Sequence, residues 1–237
     1  MGQKEKLSDY AYKILKQKIL SNSFKPGEHL EENNLCEMLN ISRTPLREAV
    51  NRLMYEDLLV SVPQKGIFVP ELSFQSTAEL FRARKLIEPM VILLSAGRVN
   101  KDVIMSFRNK TTVLLEHKGS PEANAAELHL LDYEFHDYFN TNCGNQYILR
   151  NVMYISDQFQ RVRTQDFFPV ERAVNGAIEH LKIIDALMNG EHDTLPTLIL
   201  EHIKSTETYY YKKLLDDDVT RHNIDYLKQN MDSITQR

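Results

Sequence analysis

Cysteine is scarce in this chain of 237 residues: the two present, Cys36 and Cys143, lie far apart and neither has a CxxC partner. That argues against a disulfide framework and for free thiols in a reducing compartment. Long apolar runs are missing too. No stretch approaches the ~20 residues needed to span a bilayer, and the polar start MGQKEKLSDY lacks the apolar core of a signal peptide. No membrane partner is expected, and the chain reads as cytoplasmic. Nor is there an excess of positive charge. The net charge is −4; residues 1–70 carry 10 Lys+Arg against 9 Asp+Glu, and the remainder 19 against 24. Bulk charge therefore lends no support to a polyanionic partner, and only the arrangement of residues could. No internal repeat and no low-complexity segment appears. What is left is an ordinary globular composition, 42% hydrophobic and 26% charged, in a chain long enough for one large or two modest domains.

The most informative stretch is Ile41-Ser42-Arg43-Thr44-Pro45-Leu46-Arg47-Glu48-Ala49-Val50. Ser42 is placed to act as a helix N-cap, and Pro45 falls in the first turn, where a missing N–H costs nothing. Leu46, Val50 and Leu53 recur at helical spacing and predict a core-facing stripe, so Arg43, Thr44 and Arg47 point away from it. Two guanidinium groups and two hydroxyls at an exposed helix start suit phosphates and the edges of guanine in a major groove. The same pattern also fits a solvated helix end with ordinary surface arginines.

Upstream, residues 7–21 predict a helix with Tyr10, Ala11, Ile14, Leu15 and Ile19 on one stripe, stopped by Phe24-Lys25-Pro26-Gly27. A short helix follows over 32–39, with Leu35, Met38 and Leu39 as its apolar face. Asn40-Ile41 makes the turn into the third helix, which runs to about Asp57. This is a helix-turn-helix pattern. The runs 58–62 and 67–69 then predict two strands around Pro63-Gln64-Lys65-Gly66, a hairpin placed as a wing, with Lys65 near its tip. Residues 71–75 read as a linker. From about Ser76 to Leu215 helix follows helix: 76–96, 102–118, 122–140, 146–164, 173–189 and 193–215, with Pro89 expected to kink the first. The predicted fold is mainly α: a winged helix-turn-helix with a small β-hairpin wing over 1–70, then an all-α antiparallel helical bundle over 76–218. A polar tail, 219–237, holds at most a weak helix around 224–227.

Within the bundle, Asp132 and His136 are four apart and share a helix face. His180 and His202 each sit among aliphatic neighbours in amphipathic helices. One carboxylate and three imidazoles converging inside a bundle would bind a divalent transition metal: zinc, nickel, manganese or iron. Satisfied core histidines would produce the same spacing. His129 shares the face of Asp132 and His136, so spacing alone does not define the set.

Taken together, Pro26-Gly27, Leu30, Leu35, Leu39 through Val50, Arg52-Leu53, Glu56 and Pro63-Gln64-Lys65-Gly66…Val69 resemble the winged helix of the GntR family of bacterial transcription regulators. Residues Ala83 to Pro89, Asp132-x-x-x-His136, Glu179-His180…Gly190-Glu191 and His202-Ile203 resemble the helical effector domain of its FCD branch. The resemblance spans about Leu7 to Leu215. It implies DNA contacts at Ser42, Arg43, Thr44, Pro45 and Arg47, and a wing tip at Lys65-Gly66. It also implies metal ligands at Asp132, His136, His180 and His202, with zinc foremost, and an effector-cavity arginine at Arg84; His129 has no counterpart. The implied protein is a homodimeric regulator, foremost a repressor. It would bind a double-stranded palindromic operator and respond to a small carboxylate effector. Asp57 stands where relatives carry a glycine in a left-handed conformation, which Asp tolerates better than most residues. Asn33 and Asn34 occupy a stretch where some relatives carry a DNA-contacting arginine. The competing classes are a metal-dependent enzyme using the Asp/His₃ set and a module whose winged helix binds protein. No acid–base pair or nucleophile motif accompanies the candidate ligands.

Overall fold

The structure, a computed structural model, describes residues 6–116, 121–163 and 169–216. The tail and the weak helix expected at 224–227 lie outside them. The chain divides into two compact units, Met1–Ala83 with Arg150–Thr164, and Arg84–Leu149 with Gln165–Arg237.

In the first unit, α1 (Leu7–Leu20), α2 (Glu32–Leu39) and α3 (Arg43–Tyr55) enclose a core. Ala11, Leu15 and Ile19 of α1 meet Leu46, Val50 and Leu53 of α3, all buried. Each of the Leu, Ile and Val side chains contributes ~1.5–3 kcal/mol through burial, which decides how the helices face one another. The apolar stripes are narrower than the sequence predicts, because Tyr10 and Met38 stand exposed. Asn40 takes a left-handed conformation (φ +52°) and closes α2. Ser42 occupies the N-cap position of α3, but its side chain makes no capping hydrogen bond; the extended backbone of Ser42 alone sets the entry into the helix.

The hairpin is β2 (Val60–Val62) and β3 (Gly66–Phe68), shorter than expected. Leu58 and Leu59 are buried in the core ahead of the strand. A third strand, β1 (His29–Leu30), pairs antiparallel with the other edge of β3, giving the order β1-β3-β2. Asp57 has φ +53°, the left-handed conformation that the turn after α3 requires.

The helix α4 (Phe74–Ala96) begins two residues earlier than predicted, so it takes in part of the expected linker. Its N-terminus is closed reciprocally: Ser76 N donates to Ser73 Oγ at 3.0 Å and Ser73 N to Ser76 Oγ at 3.1 Å, a capping box in form. Pro89 lies inside the helix, which continues past it to Ala96.

The first unit also holds the later part of α7 (Gln146–Val162). Tyr154, Asp157, Gln158 and Arg161 share one face of that helix by their spacing. Tyr154 donates to Asp57 Oδ2 at 2.8 Å and Gln158 to the Glu56 carbonyl at 2.8 Å. Arg161 Nη2 donates to the Pro70 carbonyl. Lys16 of α1 lies between Asp157 (2.6 Å) and Glu56 (2.8 Å). Burial opposes its charge, and those two carboxylates outweigh burial and raise its pKa.

In the second unit, α5 (Lys101–Glu116), α6 (Pro121–Thr141), α8 (Val170–Asn189) and α9 (Leu195–Asp216) form the bundle with the later part of α4. Asn100 caps α5 by accepting from Asp102 N at 2.8 Å. Gly190, with φ +78°, closes α8. A short 3₁₀ turn, His192–Thr194, precedes α9 where the sequence predicts helix from residue 193.

Candidate nucleic-acid interface and metal centre

The first turns of α2 and α3 lie side by side at the surface of the first unit. Ser42, Arg43, Thr44 and Arg47 are exposed, and Pro45 is half-buried beneath them. Arg43 Nη2 donates to Asn33 Oδ1 at 2.9 Å. Arg47 meets Glu32 through Nη2 at 3.0 Å and through Nε at 3.2 and 3.3 Å, and hydrogen bonding to that carboxylate raises its pKa. The Arg47 side chain remains 62% exposed within this pair, so neither guanidinium is sequestered.

Lys65 and Gly66 sit at the exposed end of the hairpin. Gly66 has φ +103°, and a Cβ built there would lie 2.5 Å from His29 Nε2. His29 itself packs on Phe68 with ring centroids 4.8 Å apart. Gly66→Ala is therefore expected to cost ~1–3 kcal/mol, chiefly for the backbone conformation, measured by denaturant unfolding. His29→Ala added to it should recover only the steric part. Equal stability of Gly66→Ala and the parent would show that the wing tip needs no glycine.

The second candidate site is built by α6, α8 and α9. Asp132, His136, His180 and His202 each offer one ligand atom, and the four atoms lie within 4.8 Å of one another. His180 and His202 are buried, while Asp132 and His136 are half-buried. His136 Nε2 and His202 Nε2 approach to 3.3 Å, and His180 Nε2 lies 3.5 Å from Asp132 Oδ1. His180 stacks on Phe135 at 4.3 Å and 21°, which fixes the plane of its ring. His129 does not join the set.

The outer nitrogens explain how the rings are held. His202 Nδ1 lies 2.8 Å from Glu179 Oε2, and His136 Nδ1 lies 3.2 Å from Glu88 Oε2. A carboxylate on Nδ1 favours the tautomer whose Nε2 carries a lone pair. Both Nε2 atoms then aim lone pairs at one point, a repulsive arrangement that a cation relieves. Two nitrogens bound ~2.0–2.1 Å from a tetrahedral zinc lie roughly 3.3 Å apart, so the donor set fits a metal. Burial lowers the pKa of His202, with Glu179 and Asp132 offsetting part of that effect, and so favours the neutral ring that ligates.

The two carboxylates are anchored in turn. Burial would raise Glu179, but hydrogen bonds from His202 and Arg172 bring it down to about 2; the buried Arg172 also donates to Ser205 and Thr206. Burial would likewise raise Glu88, but Arg84 and His136 hold it well below the usual carboxylate range. The sequence reading missed Glu88, Glu179 and Arg172 as supports. The i,i+4 spacing of Arg84 and Glu88 was a legible signal for one pair. Arg172 and Glu179, seven apart in α8, share a helix face as well, but that spacing alone does not predict contact between side chains two turns apart. Arg84 lies buried against Glu88, so its charge is already matched. The void beside Glu88, His136 and Asn140 measures about 10 Å³, room for about one water.

Among the described residues, no helix is long and apolar enough to cross a membrane. Residues 7–69 match the family described as "Bacterial regulatory proteins, gntR family", and residues 79–205 match the FCD domain. The Nta operon transcriptional regulator of Aminobacter aminovorans is 32% identical over 185 residues, covering 78% of this chain and 85% of that protein. The HTH-type transcriptional repressor GlaR of Escherichia coli is 30% identical over 191 residues, covering 80% and 83%. Among solved structures, E. coli McbR/YncC superposes with a TM-score of 0.75 at 17% identity, covering 89% of this chain and 99% of that one, a likeness of fold. These families and relatives are transcriptional regulators rather than enzymes. A helix-turn-helix with exposed arginines and an FCD bundle in one chain thus have one common explanation: the chain belongs to the GntR family, as a DNA-binding transcriptional regulator with an FCD effector-binding domain.

Proposed function

We propose that the protein is a homodimeric, metal-containing repressor whose paired winged helices read the half-sites of a palindromic operator in the cytoplasm. The observation that carries the reading is the exposed start of α3, where Arg43, Thr44 and Arg47 stand clear of the core around them. Arg43 and Arg47 read guanine edges, while Ser42, Thr44, the Pro45 turn and the Lys65-Gly66 wing tip contact the backbone and the adjacent groove. Dimerisation is supported by Leu86, Met90 and Leu93 of α4, exposed at 82%, 51% and 40% on one face of the helix. An isologous pair built on such a stripe has the two-fold symmetry of a palindrome. The repressing sign is taken from the E. coli relative GlaR, a transcriptional repressor.

Asp132, His136, His180 and His202 would hold the metal, zinc foremost; it would act as a Lewis acid toward an oxygen ligand by taking that ligand as an additional one beyond these four donors. A small carboxylate effector binds as that additional ligand and draws on Arg84 for charge. Because Arg84 already holds Glu88, the effector must share or displace that carboxylate, and the void must open beyond a single water. Such an effector shifts operator affinity only by its preference between two arrangements of the protein, typically ~1–3 kcal/mol.

Selection of bound duplexes from a random pool tests the DNA reading. A recovered palindrome, bound with a steep negative dependence of log affinity on log salt, is the expected result. A pool without enrichment overturns it.

A further inference from the structure

The reading face of α3 is not made of arginines alone. Each of its two guanidinium groups is held by a side chain from the first turn of α2: Arg47 by Glu32 and Arg43 by Asn33. We infer that Glu32 and Asn33 are specificity-determining positioning residues, which orient the two arginines toward base edges and keep Arg47 from serving as a general phosphate contact. This inference rests on the assignment of Arg43 and Arg47 as DNA contacts and adds residues of α2 to it.

The geometry supports a positioning role. Glu32 takes the Nε/Nη2 edge of Arg47, at 3.0 to 3.3 Å. The opposite end of the guanidinium, Nη1 with the second hydrogen of Nη2, stays available as a two-pronged donor. That end matches the O6 and N7 acceptors of guanine. Asn33 spends its carbonyl on Arg43 Nη2 and keeps its amide NH₂ as a donor, so the pair presents donors only. Both contacts are exposed, where ion pairs add little to stability. Their effect therefore falls on where the arginine heads point and on what they meet.

Charge supports the same conclusion. The first 70 residues carry 10 Lys+Arg against 9 Asp+Glu, so the domain has almost no surplus with which to hold arbitrary DNA. Glu32 offsets one of its two recognition arginines. A carboxylate at that place repels phosphates, which every duplex offers, while a guanine edge reached by the free end of Arg47 is offered only by some. The result is weaker non-specific binding and a larger ratio between right and wrong sequences.

The test compares the full-length parent with Glu32→Gln, Asn33→Ala, Arg47→Ala and Glu32→Gln/Arg47→Ala. The probes are a duplex recovered from a random pool with the parent protein and a shuffled duplex of equal composition, each at 50 and 200 mM salt. Glu32→Gln is expected to bind the shuffled duplex about tenfold more tightly, with a salt slope about two units steeper, one for each protomer of the pair, so that the affinity ratio between the two duplexes falls about tenfold. Asn33→Ala should lower the ratio by loosening Arg43, through loss on the recovered duplex. In the double variant the gain on shuffled DNA should vanish, because the freed group is gone. An unchanged ratio in Glu32→Gln, while Arg47→Ala loses the recovered duplex, overturns the inference and spares the assignment of Arg47. Unchanged binding by Arg47→Ala overturns both. Glu32→Asp, with the charge retained on a shorter arm, separates the two effects: weak binding to shuffled DNA should persist while the preference for the recovered duplex declines.

Discussion

Arg43→Ala is expected to abolish specific operator binding while leaving the protein folded. The side chain lies at the exposed start of α3, and its hydrogen bond to Asn33 is itself exposed. Its removal opens no cavity, so the unfolding free energy should change by no more than ~0.5 kcal/mol. A bidentate arginine–guanine contact is worth ~1–3 kcal/mol per half-site. Lost from both halves of a symmetric site, it reduces affinity by roughly 30-fold to 10⁴-fold. Arg43→Lys sharpens the test, since lysine keeps the charge without the planar fork. A lysine variant that retains shuffled-duplex binding but loses the recovered duplex assigns base reading to the fork. Unchanged operator affinity in Arg43→Ala would remove the residue from the contact set.

The second large effect concerns the metal. His180→Ala with His202→Ala is expected to take bound metal from about one ion per chain to near none. Elemental analysis of protein purified without a histidine tag reads this directly. The two rings supply half of the four converging donors, and both are buried. Glu179→Gln should give a graded loss, on the order of 10- to 100-fold in metal affinity, because the carboxylate acts only through the orientation and basicity of His202. Acid should act in the same direction. The ligating rings must be neutral, so falling pH protonates them and expels the ion, whereas rising pH does not. Bound metal should also raise the midpoint of thermal unfolding in proportion to the logarithm of its free concentration. Metal content equal to that of the parent in the double variant would dismiss these ligands.

How far the sequence could be read depended on the kind of signal. Leu46, Val50 and Leu53 repeat at helical spacing beside a Pro in the first turn, and the third helix appeared where that pattern places it. Asp132 and His136 were legible as neighbours because i,i+4 is a local relation, and His180 and His202 because each interrupts an aliphatic face. β1 was invisible: two residues, His29 and Leu30, carry no alternation, and their pairing with β3 depends on a partner more than thirty residues away. Leu58 and Leu59 resemble a strand start by composition, yet the core around α3 claims them first. The groups that hold the site rings, Glu88, Glu179 and Arg172, belong to tertiary geometry. So do Glu32 and Asn33, whose meaning depends on the way α2 abuts α3.

The grip of α7 on the first unit has a practical corollary. Lys16, Glu56, Asp57 and the Pro70 carbonyl all find partners on the segment Tyr154 to Arg161. A fragment ending at residue 70 would strand Lys16 with one carboxylate where it now has two, and would lay bare the underside of the turn after α3. Exchange of reading heads between relatives would meet the same obstacle, since a transplanted head must be matched by its own copy of residues 150 to 164. The modular boundary in this protein is thus a pair of cuts, and grafts made at one of them alone should yield chimeras that melt early.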